Sequence, residues 1–152
     1  MKRIVIAIVM ILFVVVGIAY ALDRSTGKDA KAMLEKAIAF YQANGQEKAL
    51  ATFNDPNGPF VKKDLYIFAL DLNGKVIAHG TNAGLIGKGM QEIRDLKKKN
   101  FINVMVKIAK AKGEGTVDYW WDNPQSRAGE QKISYFKKID GVILGCGYYK
   151  VR

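Results

Sequence analysis

The residue types that most often carry enzyme chemistry are scarce in this chain of 152 residues. It contains one histidine, His79, and one cysteine, Cys146. One residue of each type cannot supply the usual nitrogen and sulfur ligands of zinc within a single chain, so no metal site is expected. No Gly-x-Ser-x-Gly element marks a nucleophile, and the glycine cluster at residues 84–89 lacks the strand–turn–helix setting of a phosphate site. The residue types and motifs therefore give little support to an enzyme, and no cofactor is expected.

The aromatic stretch Gly115–Tyr135 suits the wall of a small polar-ligand pocket. Thr116–Trp121 is a β-type run whose alternation places Val117, Tyr119 and Trp121 on one face. A turn signal follows at residues 122–124, and a second strand, Lys132–Lys137, completes a predicted hairpin with a long loop. Aromatic rings supply shape in such a pocket, and a few polar groups fix the orientation of the ligand. The alternative is an ordinary core whose Tyr and Trp tips reach water.

The predicted fold is an α+β domain with a five-stranded antiparallel sheet and helices mostly on one side of it. Helical periodicity and turn signals give the elements: helices Lys28–Asn44, Gln46–Phe53 and Asn100–Lys112, and strands Leu65–Asp71, Lys75–His79, Thr116–Trp121, Lys132–Lys137 and Val142–Tyr149. The strand at residues 65–71 is apolar on both faces, so both faces should be covered. Asn73-Gly74 is a strong hairpin signal.

The N-terminus has the pattern of a targeting segment. Met1-Lys2-Arg3 precedes the apolar run Ile4–Ile18, and Ala19-Tyr20-Ala21 has the small-x-small pattern of a signal peptidase site. We expect residues 1–21 to be a signal peptide, residues 22–152 to form one domain, and the protein to be periplasmic or secreted. The alternative is an uncleaved anchor in the inner membrane formed by residues 4–22.

The chain is strongly basic, with a formal net charge of +10. Removing Lys2 and Arg3 with the signal peptide leaves +8. Such a charge fits nucleic acid, an anionic membrane surface or anionic small ligands, or it simply keeps the protein soluble. Export argues against nucleic acid as a partner.

Seven sequence blocks, in order, resemble the single Cache domains, which are PAS-like extracytoplasmic sensor modules. The blocks are Gly45–Asn54 (GQEKALATFN), Asp64–Phe68, Asp71–Gly74 with Ala78-His79, Leu85–Lys88, Gly113–Pro124, Lys132–Tyr135 and Gly145–Tyr149. One block departs from the family pattern. The family usually has Asp-x-x-Gly-Lys before the second long helix, whereas Asp95–Lys99 (DLKKK) lacks the glycine.

The resemblance implies binding rather than catalysis. Cache modules usually lie outside the membrane on chemoreceptors, histidine kinases and cyclic-dinucleotide enzymes, and they bind small metabolites, often carboxylates. The sequence contains no kinase, HAMP or methyl-accepting segment, so it resembles a free-standing form that acts through a separate membrane receptor or histidine kinase. An interaction module whose pocket is filled by its own side chains is the alternative function.

The predicted ligand is a small organic anion, such as a short-chain carboxylate, and Lys132 is the first candidate for its charge partner. Tyrosine hydroxyls and the His79 imidazole are further donors, although His79 could equally be structural. Phe68 and Trp121 would form an apolar wall. Strand parity places Lys132 and Tyr135 on opposite faces, and either face could be the inner one. The predicted ligand-binding set is Tyr66, Phe68, His79, Tyr119, Trp121, Lys132 and Tyr135.

Overall fold

The computed structural model describes residues 23–91 and 93–151 as an antiparallel sheet covered by helices. The helices are α1 (Gly27–Asn44), α2 (Gln46–Phe53) and α3 (Phe101–Lys112), with a 3-10 turn at Ala83–Leu85. The strands are β1 (Val61–Lys62), β2 (Leu65–Asp71), β3 (Val76–His79), β4 (Glu114–Asp122), β5 (Gly129–Ile139) and β6 (Val142–Tyr149). The predicted α+β class and all eight predicted elements are present.

The sheet has six strands rather than the predicted five. β4, β5, β6 and β2 are neighbours in that order, and β1 and β3 both pair with the remaining edge of β2. The additional strand, β1, is only two residues long and pairs Val61 with Tyr66. A two-residue strand is too short to show alternation in the sequence, which explains why it was not predicted.

Helices cover both faces of the sheet, with two of the three on one side and α3 on the other. α1 and α2 pack on the face that carries Ile67, Leu144 and Cys146. α3 packs on the opposite face, against Phe68 and Phe136 among others. Two separate cores result, and this arrangement explains why β2 is apolar on both faces.

Local capping fixes the ends of the helices. Thr26 and Asp29 form a reciprocal capping box at the start of α1. The side chain of Asn100 accepts a hydrogen bond from the Asn103 amide and caps α3, and Gly113 ends that helix with a left-handed backbone, φ 80°.

The turn before α3 forms although it lacks the glycine of the family pattern. Lys98 takes the left-handed conformation, φ 63°, at that position. Asp95 Oδ1 accepts hydrogen bonds from the amides of Lys97 and Lys99, and Asp95 Oδ2 accepts one from the Trp120 amide of β4. These bonds hold the turn against the β4 edge of the sheet, and the left-handed lysine is the conformational cost.

No helix in residues 23–91 and 93–151 is long and apolar enough to cross a membrane. The predicted signal peptide, residues 1–21, and the alternative anchor, residues 4–22, lie outside the described residues.

Candidate functional site

A small cavity lies between the sheet, α3 and the segment that joins β3 to α3. Its walls are mainly aromatic and aliphatic side chains: Tyr66, Phe68, Leu70, Val76, His79, Leu85, Met90, Phe101, Ile102, Tyr119 and Trp121. Its volume is about 30 Å³, roughly the space of one water molecule. The larger grooves beside α1 include only one of the seven predicted ligand-binding residues, Tyr135, whereas five of the seven line this cavity. We therefore place the candidate site in this cavity.

Lys132 lies beside this cavity as a buried cation. The residue is 1% exposed. Its Nζ atom donates a hydrogen bond of 2.7 Å to the Tyr66 hydroxyl. The same atom lies 3.9 Å from the centroid of the Tyr66 ring and 5.3 Å from that of Tyr149, with Phe68 and Tyr119 at 5.6 and 6.0 Å. None of the ion pairs among the described residues includes Lys132. A buried charge without a countercharge is costly, so this ammonium is suited to receive an anion.

Lys132 is charged at neutral pH. Burial lowers the pKa of its ammonium group, whereas Tyr119 and Tyr66 raise it, and their combined effect holds the pKa above the ordinary lysine value. Burial also raises the pKa of Tyr119 and of Tyr149, so both phenols keep their protons. The cation beside the cavity therefore has two neutral phenols, Tyr119 and Tyr149, among the rings around it.

Two glycines of β6 make room for these side chains. A Cβ atom added to Gly147 would lie 2.6 Å from Cε of Lys132 and 2.3 Å from Oγ of Ser134. A Cβ added to Gly145 would lie 2.2 Å from the Phe68 ring. Distances this short are repulsive, so the Gly-x-Gly pattern of β6 allows Lys132 and Phe68 to lie across that strand.

A chain of hydroxyl groups extends from Lys132. The Tyr149 hydroxyl donates to the Asp122 carbonyl over 2.8 Å. The Tyr66 and Tyr149 oxygens are 3.4 Å apart. Because the proton of Tyr149 is used at Asp122, Tyr66 is the donor in this long contact. The hydrogen bond that the Tyr66 hydroxyl donates is thus weak, and its proton can turn toward an incoming oxygen atom.

His79 is a neutral imidazole at one wall of the cavity. Burial and the nearby charge of Lys132 lower its pKa to about 3. Its Nδ1 atom accepts hydrogen bonds from the amides of Asn82 at 3.0 Å and Thr81 at 3.4 Å. The proton of the neutral ring is therefore on Nε2, which makes that atom a hydrogen-bond donor. The sequence is compatible with a structural role and with a ligand-binding role for His79. The hydrogen bonds from the Thr81 and Asn82 amides to Nδ1 are structural, and Nε2 remains suited to bind a ligand.

Three further aromatic rings line the cavity. The rings of Phe101 and Tyr119 stack at 4.1 Å and nearly parallel, and Trp121 packs edge-on to Phe101 at 5.4 Å. The Tyr119 hydroxyl shares a hydrogen bond of 2.9 Å with Ser134. Tyr119 therefore offers its ring to the cavity, while its hydroxyl already has a partner.

The structure brings six of the seven predicted residues together and separates the seventh. Tyr66, Phe68, His79, Tyr119 and Trp121 line the cavity, and Lys132 lies within 3.9–6.0 Å of the ring centroids around it. Tyr135 lies on the opposite face, where its ring stacks on Tyr148 and carries the ammonium of Lys31 at 4.7 Å.

Sequence reasoning missed several residues of the site. Tyr149 was read only as part of the last strand, although the Gly-x-Gly-x-Tyr pattern places it two residues after Gly147 on the same face. Phe101, Ile102 and Met90 also line the cavity, and none of them is in the predicted ligand-binding set. No cluster of three or more His, Cys, Asp or Glu suited to a metal occurs in the part of the chain that the structure describes.

Comparison with known proteins gives consistent matches. The family model described as Cache domain matches residues 15–150. The methyl-accepting chemotaxis protein McpP of Pseudomonas putida is 30% identical over 125 residues, which are 81% of this chain and 21% of McpP. The chain thus spans about a fifth of the length of this relative.

Solved structures with the same fold include sensor domains. A structure described as the basis for carboxylic acid recognition by a Cache chemosensory domain is 27% identical, with a TM-score of 0.70 over 84% of this chain and 100% of that one. A periplasmic sensor domain of a chemotaxis protein is 25% identical, with a TM-score of 0.62 over 82% and 90% of the two chains. A methyl-accepting chemotaxis protein from Vibrio parahaemolyticus is 23% identical, with a TM-score of 0.69 over 80% and 86%, and shows the fold alone.

Proposed function

Because the chain belongs to the Cache domain family, we propose that it is an extracytoplasmic sensor domain that binds a small organic anion, such as a short-chain carboxylate, beside Lys132. The observation that carries the proposal is the buried Lys132 ammonium, which has no carboxylate partner among the described residues. Carboxylic acid recognition by the related Cache chemosensory domain supports the choice of ligand.

The ligand carboxylate would take its donors from three side chains. Lys132 supplies the charge, the Tyr66 hydroxyl turns from its long contact with Tyr149, and Nε2–H of His79 completes the set. The apolar part of the ligand would contact Phe101 and the other rings of the cavity. His79 supplies a hydrogen bond rather than a proton, since its low pKa keeps the ring neutral. We assign a binding role and no catalysis to this arrangement.

Binding requires the cavity to enlarge, because about 30 Å³ does not hold a carboxylate of several heavy atoms. The wall that can move is the segment 80–100, whose described residues form one short 3-10 turn and no other helix. Leu85 and Met90 of this segment line the cavity. Ligand entry would displace this wall, and the change in its position would be the signal passed to a separate partner, such as a membrane receptor or a histidine kinase.

The small cavity also favours one alternative, an interaction module whose pocket is filled by its own aromatic rings. A thermal-shift screen against small carboxylates, amino acids and amines separates the two functions. A ligand at 100 times its dissociation constant adds about 2.7 kcal/mol to the free energy of unfolding, which is several degrees for a domain of this size. A dose-dependent rise with carboxylates is the expected result, and no rise with any compound would favour the interaction module.

A further inference from the structure

The described chain begins and ends at one end of the sheet, which we call the entry end. Arg24 binds Glu130 at the start of β5 through two hydrogen bonds of 2.6 and 3.0 Å. The amide of Lys150 donates to the carbonyl of Gln131 at the same place, over 2.9 Å. Residues 1–22, with their apolar run, therefore join the domain at the entry end.

Two apolar side chains project into solvent at the entry end. Leu96 is 74% exposed and Val151 is 68% exposed, whereas the other exposed large hydrophobic residues of the described chain reach at most 40%. Leu96 lies over the start of β5, since a Cβ added to Gly129 would be 2.7 Å from its Cδ1 atom. It occupies the tip of the Asp95 turn and is followed by three lysines.

Basic side chains at the entry end occupy backbone positions that would suit glycine. The described non-glycine residues with positive φ are Lys63 at 57°, Lys98 at 63°, Arg127 at 56° and Asp140 at 49°. The three basic ones lie in turns at the entry end and are exposed, and Asp140 lies at the far end of β5. Glycine would remove the strain at each position, but it would also remove a positive charge.

Most of these charges have no acidic partner. Lys63 pairs with Asp23 at 2.7 Å. Within the described residues, no ion pair includes Lys97, Lys98 or Arg127. The entry end therefore combines a protruding leucine with unpaired basic side chains, a combination that suits an interface of apolar and anionic groups.

We propose that the entry end docks on an anionic lipid bilayer. Leu96 inserts at the level of the headgroups, and Lys97, Lys98 and Arg127 contact lipid phosphates. Two observations carry this choice: the charge complementarity, and the single leucine that protrudes from a turn instead of forming a flat apolar patch. The proposal does not depend on the ligand of the cavity.

Site-directed spin labelling of the full chain in vesicles tests this proposal. Leu96→Cys carries the label at the entry end, and Lys138→Cys carries it near the far end of β5, which runs for 11 residues, roughly 35 Å. Cys146 stays unlabelled because it is buried and its pKa is raised to about 12. Each protein is reconstituted in phosphatidylcholine vesicles with or without phosphatidylglycerol, with a water-soluble nickel relaxation agent on both sides of the membrane.

The expected result is a several-fold loss of nickel relaxation at position 96 in the phosphatidylglycerol vesicles only, with no change at position 138. Adding Lys97→Glu and Lys98→Glu should restore the relaxation at position 96. The matched control, Lys112→Glu with Lys138→Glu, makes the same change of net charge at the far end and should restore nothing. A label at position 96 that stays equally accessible in both vesicles overturns the proposal and favours an acidic protein partner. Equal protection in both vesicles overturns the role of anionic lipid.

Discussion

Replacing Lys132 by methionine should weaken anion binding without weakening the fold. Methionine keeps the unbranched side chain and removes only the ammonium group, so it fills the same space between the rings. The ammonium loses several kcal/mol of hydration on burial. It recovers about 2 kcal/mol from the aromatic rings and about 1.5–3 kcal/mol from the Tyr66 hydroxyl. These terms nearly cancel, so the free energy of unfolding should be unchanged or higher by up to about 2 kcal/mol.

Lys132→Met should lower the anion affinity, although it leaves the stability of the fold unchanged or higher. A charge-assisted hydrogen bond to a buried carboxylate contributes about 1.5–3 kcal/mol, so Lys132→Met should weaken binding by at least about tenfold. The matched control is Lys138→Met, which changes an exposed lysine six residues further along β5. Lys138→Met should change neither the free energy of unfolding nor the anion affinity.

Urea unfolding and isothermal titration of the same samples measure both quantities. Unchanged affinity in Lys132→Met would remove Lys132 from the site. A loss of several kcal/mol in stability would show instead that the ammonium holds the aromatic rings together as a structural element. Only intact stability together with lost affinity agrees with the proposed role.

Three further predictions concern the surroundings of the site. Gly147→Ala should lower the free energy of unfolding by about 1–3 kcal/mol in urea unfolding and should weaken anion binding. The reason is that its methyl group would lie 2.6 Å from Cε of Lys132. Unchanged anion affinity would contradict the close packing of Lys132 against Gly147. Lys98→Gly should raise stability by about 0.5–1 kcal/mol by relieving a φ of 63°, whereas the control Lys97→Gly should lower it, and equal losses would contradict the strain argument. Burial and the charge of Lys132 lower the pKa of His79 to about 3, so its stabilising effect is complete above the unfolded pKa of about 6.5 and is lost as the pH falls toward 3. Between pH 6.5 and 5 the free energy of unfolding should fall by about 2 kcal/mol. If His79→Asn shows the same fall in urea titrations, the pH dependence belongs to another group.

The order of elements could be predicted from the sequence because periodicity and turn residues are local. Asn73-Gly74 forms the turn between β2 and β3, and the helix predicted at residues 100–112 is α3. The apolar residues on both faces of β2 predict that both faces are covered, but which helix covers which face depends on the path of the connection before α3 and could not be predicted. In the turn before α3, Lys98 takes the place of the glycine of the family pattern, and its left-handed backbone conformation is visible only in the structure.

The chemistry of the site was only half visible in the sequence. The alternation of side chains along β5 correctly predicts that Lys132 and Tyr135 lie on opposite faces of the sheet, but it does not tell which face lines the cavity. Lysine is usually exposed, so nothing in β5 alone predicts a side chain that is 1% exposed. Its burial depends on rings from other strands and on the missing side chain of Gly147. Contacts of this kind join distant parts of the chain and appear only when the sheet is assembled.

The most direct test of the central claim is a calorimetric titration with propionate and with propionamide, which have nearly the same shape and differ in charge. Propionate should bind, and propionamide should bind at least about tenfold more weakly, because only the carboxylate neutralises the Lys132 ammonium. Equal affinities would show that the cavity recognises shape without charge. The absence of binding by either compound would contradict carboxylate recognition at this site.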